Sequence, residues 1–372
     1  MATVSLEEKF RGCIAASWTG SAMGAATEGW SRDRIRETHG FLEEMRPNRH
    51  YPDITNWMRP PGTTEDGIER QKMIATAIIE KQDRVLAHDV VAVWLRDLDP
   101  DKIIYKQERF DKSLLMLARA GVPPVELGRL WPFPNVVSMA RASHPLGLIN
   151  AGDPYGAADD SYEIGKIYAT ETAFALRWAA LYNAAVAEAC KPDATVESVL
   201  ETAKHFVQYR AEQGSLYALY DTIDREVTRA LELAEKHSDP TEMRDEFYKY
   251  YEGGEYYNYG YSQANEIVAK GLAVFAVSRG DPRQAIVTAV NFGRDTDCLA
   301  AVAGGLSGAL SGYSRVPKDW IDQVNQATAD DPYTNNYRSI EETADGLYGA
   351  FNARLRKLSS YVDSMSPAHA MA

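Results

Sequence analysis

A helix made almost wholly of glycine, alanine and serine constrains this chain more than any other segment. It follows Asn291-Phe-Gly-Arg-Asp-Thr-Asp297 and continues Cys298-Leu-Ala-Ala-Val-Ala-Gly-Gly-Leu-Ser-Gly-Ala-Leu-Ser-Gly312. Such a helix offers little apolar volume, but its small side chains let neighbouring backbones come close. Asp295 and Asp297 stand at its mouth, where unpaired N–H groups and the helix dipole favour carboxylates. Two carboxylates with a hydroxyl between them also suit a hard divalent cation, which takes oxygen ligands. For this pair alone, a helix cap and a metal site are both open readings.

A second oxygen-rich helix start lies far upstream, in Pro61-Gly-Thr-Thr-Glu-Asp-Gly67. Thr64 reads either as an N-cap followed by two first-turn acids or, with Glu65 and Asp66, as a set of oxygen ligands. The four-residue steps Met73 to Ala77 and Ile74 to Ile78 give the following helix one buried face. Two such starts in one chain favour a shared cation site, which requires Asp66 and Asp295 to fold side by side.

The chain resembles the ADP-ribosylglycohydrolase family in a collinear series of segments. These are Arg11-Gly-Cys-Ile-Ala-Ala-Ser-Trp-Thr-Gly-Ser-Ala-Met-Gly24, Glu28-Gly-Trp30, Thr64-Glu-Asp66, Pro145-Leu-Gly-Leu-Ile-Asn150, Gly293-Arg-Asp-Thr-Asp297 and Val316-Pro-Lys-Asp-Trp320. The resemblance implies an all-α fold, a single-domain orthogonal helical bundle over residues 1–365, with a central metal cleft. It implies two divalent cations, Mg²⁺ or Mn²⁺, held by Thr64, Glu65, Asp66, Asp295, Asp297 and the position of Cys298. It also implies catalytic roles for Glu28, Asp66 and Asp295.

Four positions depart from the family pattern. Glu65 stands where the family usually has Asp, and Cys298 where it usually has a threonine ligand. A thiol suits softer first-row metals better than Mg²⁺. Ser21 replaces an acid in the first helix, and Arg141 lies four residues before Pro145 instead of three. The set marks a divergent subgroup.

The formal net charge of -13 argues against nucleic acid and anionic membranes as partners. The substrate's own phosphates then need Arg, backbone N–H groups or metal at the site. Cys13, Cys190 and Cys298 are far apart and show no metal-type spacing, as in a reducing compartment. Met1 to Lys9 lacks a positive-then-apolar leader pattern, and the run Leu299 to Gly312 is too short to span a bilayer. The expectation is a cytoplasmic protein.

Helix signals dominate and strand alternation is absent. Helices are expected over Thr172 to Ala189, along the face Leu216, Leu219, Ile223, Val227, Ala230 and Ala234, from Ala264 to Phe275, and from Ile340 to Val362. Thr195 is expected to cap a helix, with Ser198 a poor substitute for the usual capping-box acid. Residues 366–372 are expected to be a disordered tail. Arg46 to Gly62 and Gly121 to Gly156 read as irregular, site-rim loops.

Arg141-Ala-Ser-His144 offers a guanidinium for a carboxylate or phosphate and an imidazole that titrates near neutrality. The alternative is a buried Arg bonded to carbonyls and a packed His. Asn150 and Asp153 suit either substrate contact or turn chemistry. The tyrosine-dense Gly253 to Tyr261 segment, with Tyr257 at its centre, is a candidate stacking wall for a flat ring. Together these readings point to metal-assisted cleavage of a ribosyl C1″ bond, the partner being an ADP-ribosylated protein or small molecule. Hydrolysis of a small ribosylated metabolite is the alternative within the same chemistry. An inactive ADP-ribose-binding or structural relative is the alternative of another class.

Overall fold

Gly12, Gly20, Gly24 and Gly308 leave two helices with almost no bulk on their facing sides, and those helices cross at the centre of the molecule. The helix Leu6–Gly24 lies directly against the small-residue helix Thr296–Ser311. A Cβ added at Gly308 would stand 2.0 Å from the Gly12 carbonyl oxygen, and one at Gly20 would stand 2.4 Å from that of Ala300. Backbone touches backbone, so dispersion contacts between main chains replace the usual leucine interlock.

The computed structural model describes residues 4–50, 55–170, 173–210, 219–251 and 262–366. Among the described residues the architecture is all-helical, and the only β-type pairing consists of the isolated bridges Trp30–Arg294, Asn48–Arg59 and Val136–Gln263. Pro282–Val290 and Ala264–Val277 pack on the small-residue helix, and Ile340–Met365 runs along the first helix and the Asp66–Lys81 helix. One continuous apolar core joins these layers, with Trp18, Trp178, Phe275 and Leu306 wholly buried. Each such side chain contributes roughly 1.5–3 kcal/mol of burial.

The expected helices form as Phe174–Ala189, Ala264–Val277 and Ile340–Met365. The long amphipathic face forms as Leu219–Lys236, while Leu216, Tyr257 and the tail 367–372 lie outside the described residues. Ser198 caps better than expected: its Oγ accepts from Thr195 N at 3.1 Å and Thr195 Oγ1 accepts from Ser198 N at 3.2 Å. The segment read as irregular from 121 to 156 is instead built of short turns of helix, Pro124–Leu130, Ser138–Ala142 and His144–Ile149. Helices of one or two turns are too brief to show a hydrophobic period. Among the described residues no helix is long and apolar enough to cross a membrane.

The glycine contact makes a direct test. Gly308→Val should lower stability in urea denaturation by about 1–3 kcal/mol or more, because the helices cannot part without opening the core. Gly349→Ala, in open space on the last helix, should instead be neutral or stabilise by about 0.5–1 kcal/mol.

Candidate functional site

The close helix crossing delivers the acid residues to one place. At the end of the first helix a Cβ on Gly24 would stand 2.5 Å from the Asp297 Cα and N. The Thr296 hydroxyl donates to the Gly24 carbonyl at 2.8 Å, fixing the start of the small-residue helix there. The turn that follows carries Glu28, and it is pinned to the second acid segment by Gly29 N donating to Arg294 O and Arg294 N donating to Trp30 O, at 2.8 and 2.7 Å. Gly293 and Arg294 have φ of 81° and 65°, and this left-handed pair turns the chain into the helix. Arg294 itself is turned toward Glu266, bonded at 2.7 and 2.9 Å.

Asp295 caps the small-residue helix, its Oδ1 accepting from Cys298 N at 3.4 Å. Thr64 is not the cap of the upstream helix: that helix runs Asp66–Lys81 with Glu65 at its N-cap position and no side-chain cap bond. Glu65 N donates to Ser21 Oγ at 3.2 Å, so the first helix holds both acid segments. Thr64 is buried, and its carbonyl accepts from Lys106 Nζ at 2.7 Å.

Arg141 spans the two segments. Its Nη2 donates to Asp66 Oδ2 at 2.5 Å and its Nη1 to Cys298 Sγ at 2.8 Å. The Cys298 thiol in turn points at Asp297 Oδ2, 3.6 Å away. Asp66 and the Asp295–Asp297 turn are therefore neighbours through a guanidinium. Gly67 makes room for it, since a Cβ there would stand 2.8 Å from Arg141 Cδ. Arg70 lies on the other side of Asp66, 3.0 Å from Oδ2, and also pairs with Glu108 and Asp111 at 2.7 and 2.6 Å.

Glu65 is paired with Arg59, and its other oxygen faces His50 Nε2 at 3.8 Å. The His50 ring reaches Glu28 through Nδ1 at 3.0 Å. His50, Arg59, Arg70, Glu108 and Asp111 carry no motif; Arg59 and Arg70 pair with acids close in sequence, Glu65 and Asp66, while Glu108 and Asp111 reach Arg70 across 38 and 41 positions. Arg59 and Trp57 did lie in the stretch read as a site rim, which was the available signal.

The charges sort into two kinds. Burial pushes Glu65 and Asp66 up, but Arg59 and His50 on one, and Arg141 and Arg70 on the other, outweigh it, so both carboxyls end below their ordinary range. Asp297 goes the other way: burial, then Glu28 and Asp295, hold its carboxyl well above that range. Burial likewise raises the Cys298 thiol, with Arg141 opposing. Glu108 is pushed up to about 7 by burial and by Asp66.

Among the described residues three groups of possible metal-ligating side chains result: Glu28–His50–Glu65, Asp66–Glu108–Asp111 and Asp295–Asp297–Cys298. Arg70 fills the second and His50 already pairs with both acids of the first. In the third, Asp295 Oδ2 and Asp297 Oδ1 are buried with no hydrogen-bond partner among the described residues. Buried carboxylate oxygens without partners are costly, and a cation relieves that cost. The Asp295–Asp297 turn fits a hard divalent ion; Glu65 and Asp66, already paired with guanidinium groups, do not offer a second place of the same kind.

The other sequence candidates lie elsewhere. His144 is wholly buried, with Nδ1 against Gln71 at 3.0 Å and Nε2 against Tyr182 and the Ala301 carbonyl at 2.7 and 3.1 Å. It is a core histidine and cannot carry protons for a substrate. Asn150 donates to Leu146 O and Asp160 and accepts from Arg354, and Asp153 caps the next helix; both serve the chain's own turns. Arg141, 6% exposed at its side chain, faces Asp66 and Cys298 and not open space.

The ADP-ribosylglycohydrolase family model matches residues 2–356. The chain is 24% identical over 346 residues to Uncharacterized protein YegU of Escherichia coli K12, spanning 86% of this chain and 93% of YegU. It is 46% identical over 55 residues to ADP-ribosylarginine hydrolase Tri1 of Serratia proteamaculans, a segment of 14% of this chain and 15% of Tri1. A solved chain titled ADP-ribosylglycohydrolase-related protein complex superposes with a TM-score of 0.62 at 19% identity, covering 94% of this chain and 99% of that one. At that identity the likeness speaks for the fold.

Burial of His144 has a consequence for stability. Desolvation lowers its pKa from the ordinary 6.5 to about 4, so the unfolded chain binds the extra proton between those values and the folded one does not. Stability should therefore fall as pH drops from 6.5 toward 4, by about 3 kcal/mol from this residue. Urea denaturation at pH 7 and pH 4 should show that part of the acid loss missing in His144→Gln.

Proposed function

This chain belongs to the ADP-ribosylglycohydrolase family, and from that premise we propose that it is a divalent-metal-dependent glycohydrolase cleaving the ribosyl C1″ bond of an ADP-ribosylated substrate. The observation that carries the reading is the pair of buried oxygens on Asp295 and Asp297, without hydrogen-bond partners among the described residues and beside Glu28. Those two aspartates would hold the cation, with Glu28 next to it. When bound there, the ion supplies Lewis-acid contact to ribose hydroxyls and lowers the pKa of a bound water.

The chain's own residues supply the rest. Glu28 is the only one of the five site acids with appreciable exposure, 20% at its side chain against 6% or less for Glu65 and Asp66 and 2% for the Asp295 and Asp297 residues. It is thus the acid that can meet the attacking water and take its proton. His50 orients it through the 3.0 Å contact. The buried carboxylates favour the positive charge that develops on the sugar as its C1″ bond breaks. Arg141 keeps Asp66 ionised and in place; it is a positioning residue.

Support for a base-bearing substrate comes from an aromatic cluster beside Arg59. The rings of Tyr105 and Tyr333 stack at 4.1 Å and 19°, and Trp57 meets Tyr333 edge-on at 4.8 Å. All three are half-buried, and Arg59 lies over Trp57 while pairing with Glu65. A flat ring stacked there would sit close to the acid segments. The tyrosine-rich stretch around Tyr257 lies outside the described residues. A purely structural descendant would gain nothing from a buried oxygen on each of Asp295 and Asp297 with no hydrogen-bond partner among the described residues.

Excess EDTA should abolish release of ADP-ribose from ADP-ribosyl-arginine, or of ribose from a ribosylated small molecule, and Mn²⁺ or Mg²⁺ should restore it. Glu28→Gln should lower kcat by roughly 10²–10⁴-fold without moving the thermal midpoint. Undiminished turnover in EDTA would sink the proposal.

A further inference from the structure

We infer that this chain takes one divalent cation, at Asp295 and Asp297, and that Arg59 and Arg141 supply the positive charge beside Glu65 and Asp66 where a second ion would otherwise be needed. The inference rests on the metal-dependent reading above and specifies its stoichiometry.

Both oxygens of Asp66 are engaged. Oδ1 accepts from Gly67 N at 2.8 Å, and Oδ2 faces Arg141 at 2.5 Å and Arg70 at 3.0 Å. A divalent ion on Oδ2 would lie against two buried guanidinium groups, which repel it. The missing side chain at Gly67 is part of the same arrangement, because a Cβ there would collide with Arg141 Cδ at 2.8 Å. Glu65 is compensated through one oxygen: it and Arg59 are each 1% exposed at the side chain and form an ion pair, and Arg59 is held in turn by the Tyr105 carbonyl at 2.8 Å, while Glu65 Oε2 has no hydrogen-bond partner among the described residues and faces His50 Nε2 at 3.8 Å. The buried ammonium of Lys106 adds a further positive charge, 2.7 Å from the Thr64 carbonyl. Buried charges in this setting need partners, and here the partners are side chains of the protein.

The Asp295–Asp297 turn has no ion pair of this kind among the described residues. Asp295 Oδ2 and Asp297 Oδ1 have no hydrogen-bond partner among the described residues. Arg294, the adjacent cation, is turned to Glu266 at 2.7 Å. Arg141 hydrogen-bonds on this side to the Cys298 sulfur at 2.8 Å. Cys298, carrying a thiol that accepts from Arg141, is therefore a link to the guanidinium and not a ligand for a hard ion.

The test is Mn²⁺ binding to the purified full chain, followed by the loss of the free-ion signal in electron paramagnetic resonance and by metal content after gel filtration. One Mn²⁺ per chain, with a spectrum free of spin–spin coupling, is expected. Asp297→Asn should weaken binding at least 100-fold, whereas Glu65→Gln should still hold one ion. Circular dichroism melting identifies any variant that does not fold, and the wild-type stoichiometry then decides alone. Two ions per chain with a coupled spectrum, or loss of the ion in folded Glu65→Gln, would overturn the inference while leaving metal dependence standing. No bound Mn²⁺ at all would overturn both.

Discussion

Main-chain contact between the helices Leu6–Gly24 and Thr296–Ser311 is the constraint on which the site depends. With the Gly12 and Gly308 backbones touching, the separation of the two helices is set by covalent geometry instead of by side-chain rotamers. A leucine interface tolerates repacking, whereas a glycine interface has no rotamer to adjust. The cost is conformational: glycine in a helix interior loses about 0.5–1 kcal/mol relative to alanine. The gain is that Asp297 is held against Gly24 and Glu28 emerges one turn later, both referred to the same rigid crossing. Sites that depend on acid groups a few ångströms apart need such rigidity, because like charges otherwise drive their carriers apart.

Around that crossing the protein arranges charge in an alternating order. Arg59 sits on Glu65, Arg141 and Arg70 on Asp66, and Arg70 again on Glu108 and Asp111. At the Asp295–Asp297 turn two buried carboxylate oxygens lack a hydrogen-bond partner among the described residues, and Asp297 is held well above its ordinary range. A network of this type gains little net stability from its ion pairs, since desolvation offsets the attraction. What it gains is position: each carboxylate has one orientation in which its partner is satisfied.

How much of this was legible depended on whether the signal was local. Asp295 and Asp297, and Thr64 to Asp66, could be read because oxygen-bearing residues at a helix start have a characteristic spacing. The small-residue helix could be read because its composition excludes ordinary packing. The compensating cations could not: Arg141 meets Asp66 across 75 positions and Cys298 across 157, and though Asp66 stands one turn before Arg70 and Glu65 shortly after Arg59, acid–base pairs at such spacing are ordinary on exposed helices and do not announce a buried site. Arg141 read alone suggested a substrate clamp, because a guanidinium in a loop is chemically competent for one. His144 suggested a proton carrier for the same reason, and only its burial against Gln71, Tyr182 and Ala301 shows otherwise. The short helices at 138–149 escaped because one turn shows no period.

The departures from the family pattern become a connected set once their neighbours are seen. Ser21 stands where an acid is usual, and its hydroxyl accepts from Glu65 N; a carboxylate there would add negative charge beside a buried glutamate. The extra methylene of Glu65 carries its carboxylate toward Arg59 and His50. Cys298 replaces a hydroxyl ligand with a sulfur that accepts from Arg141. Each change removes an oxygen ligand or a negative charge, or turns one toward a guanidinium. Taken singly they look like drift, but on the one-ion reading they all move the same balance, from charge neutralised by ions toward charge neutralised by the chain itself. On that reading the site keeps its strongest uncompensated charge at Asp295 and Asp297, where Glu28 also acts.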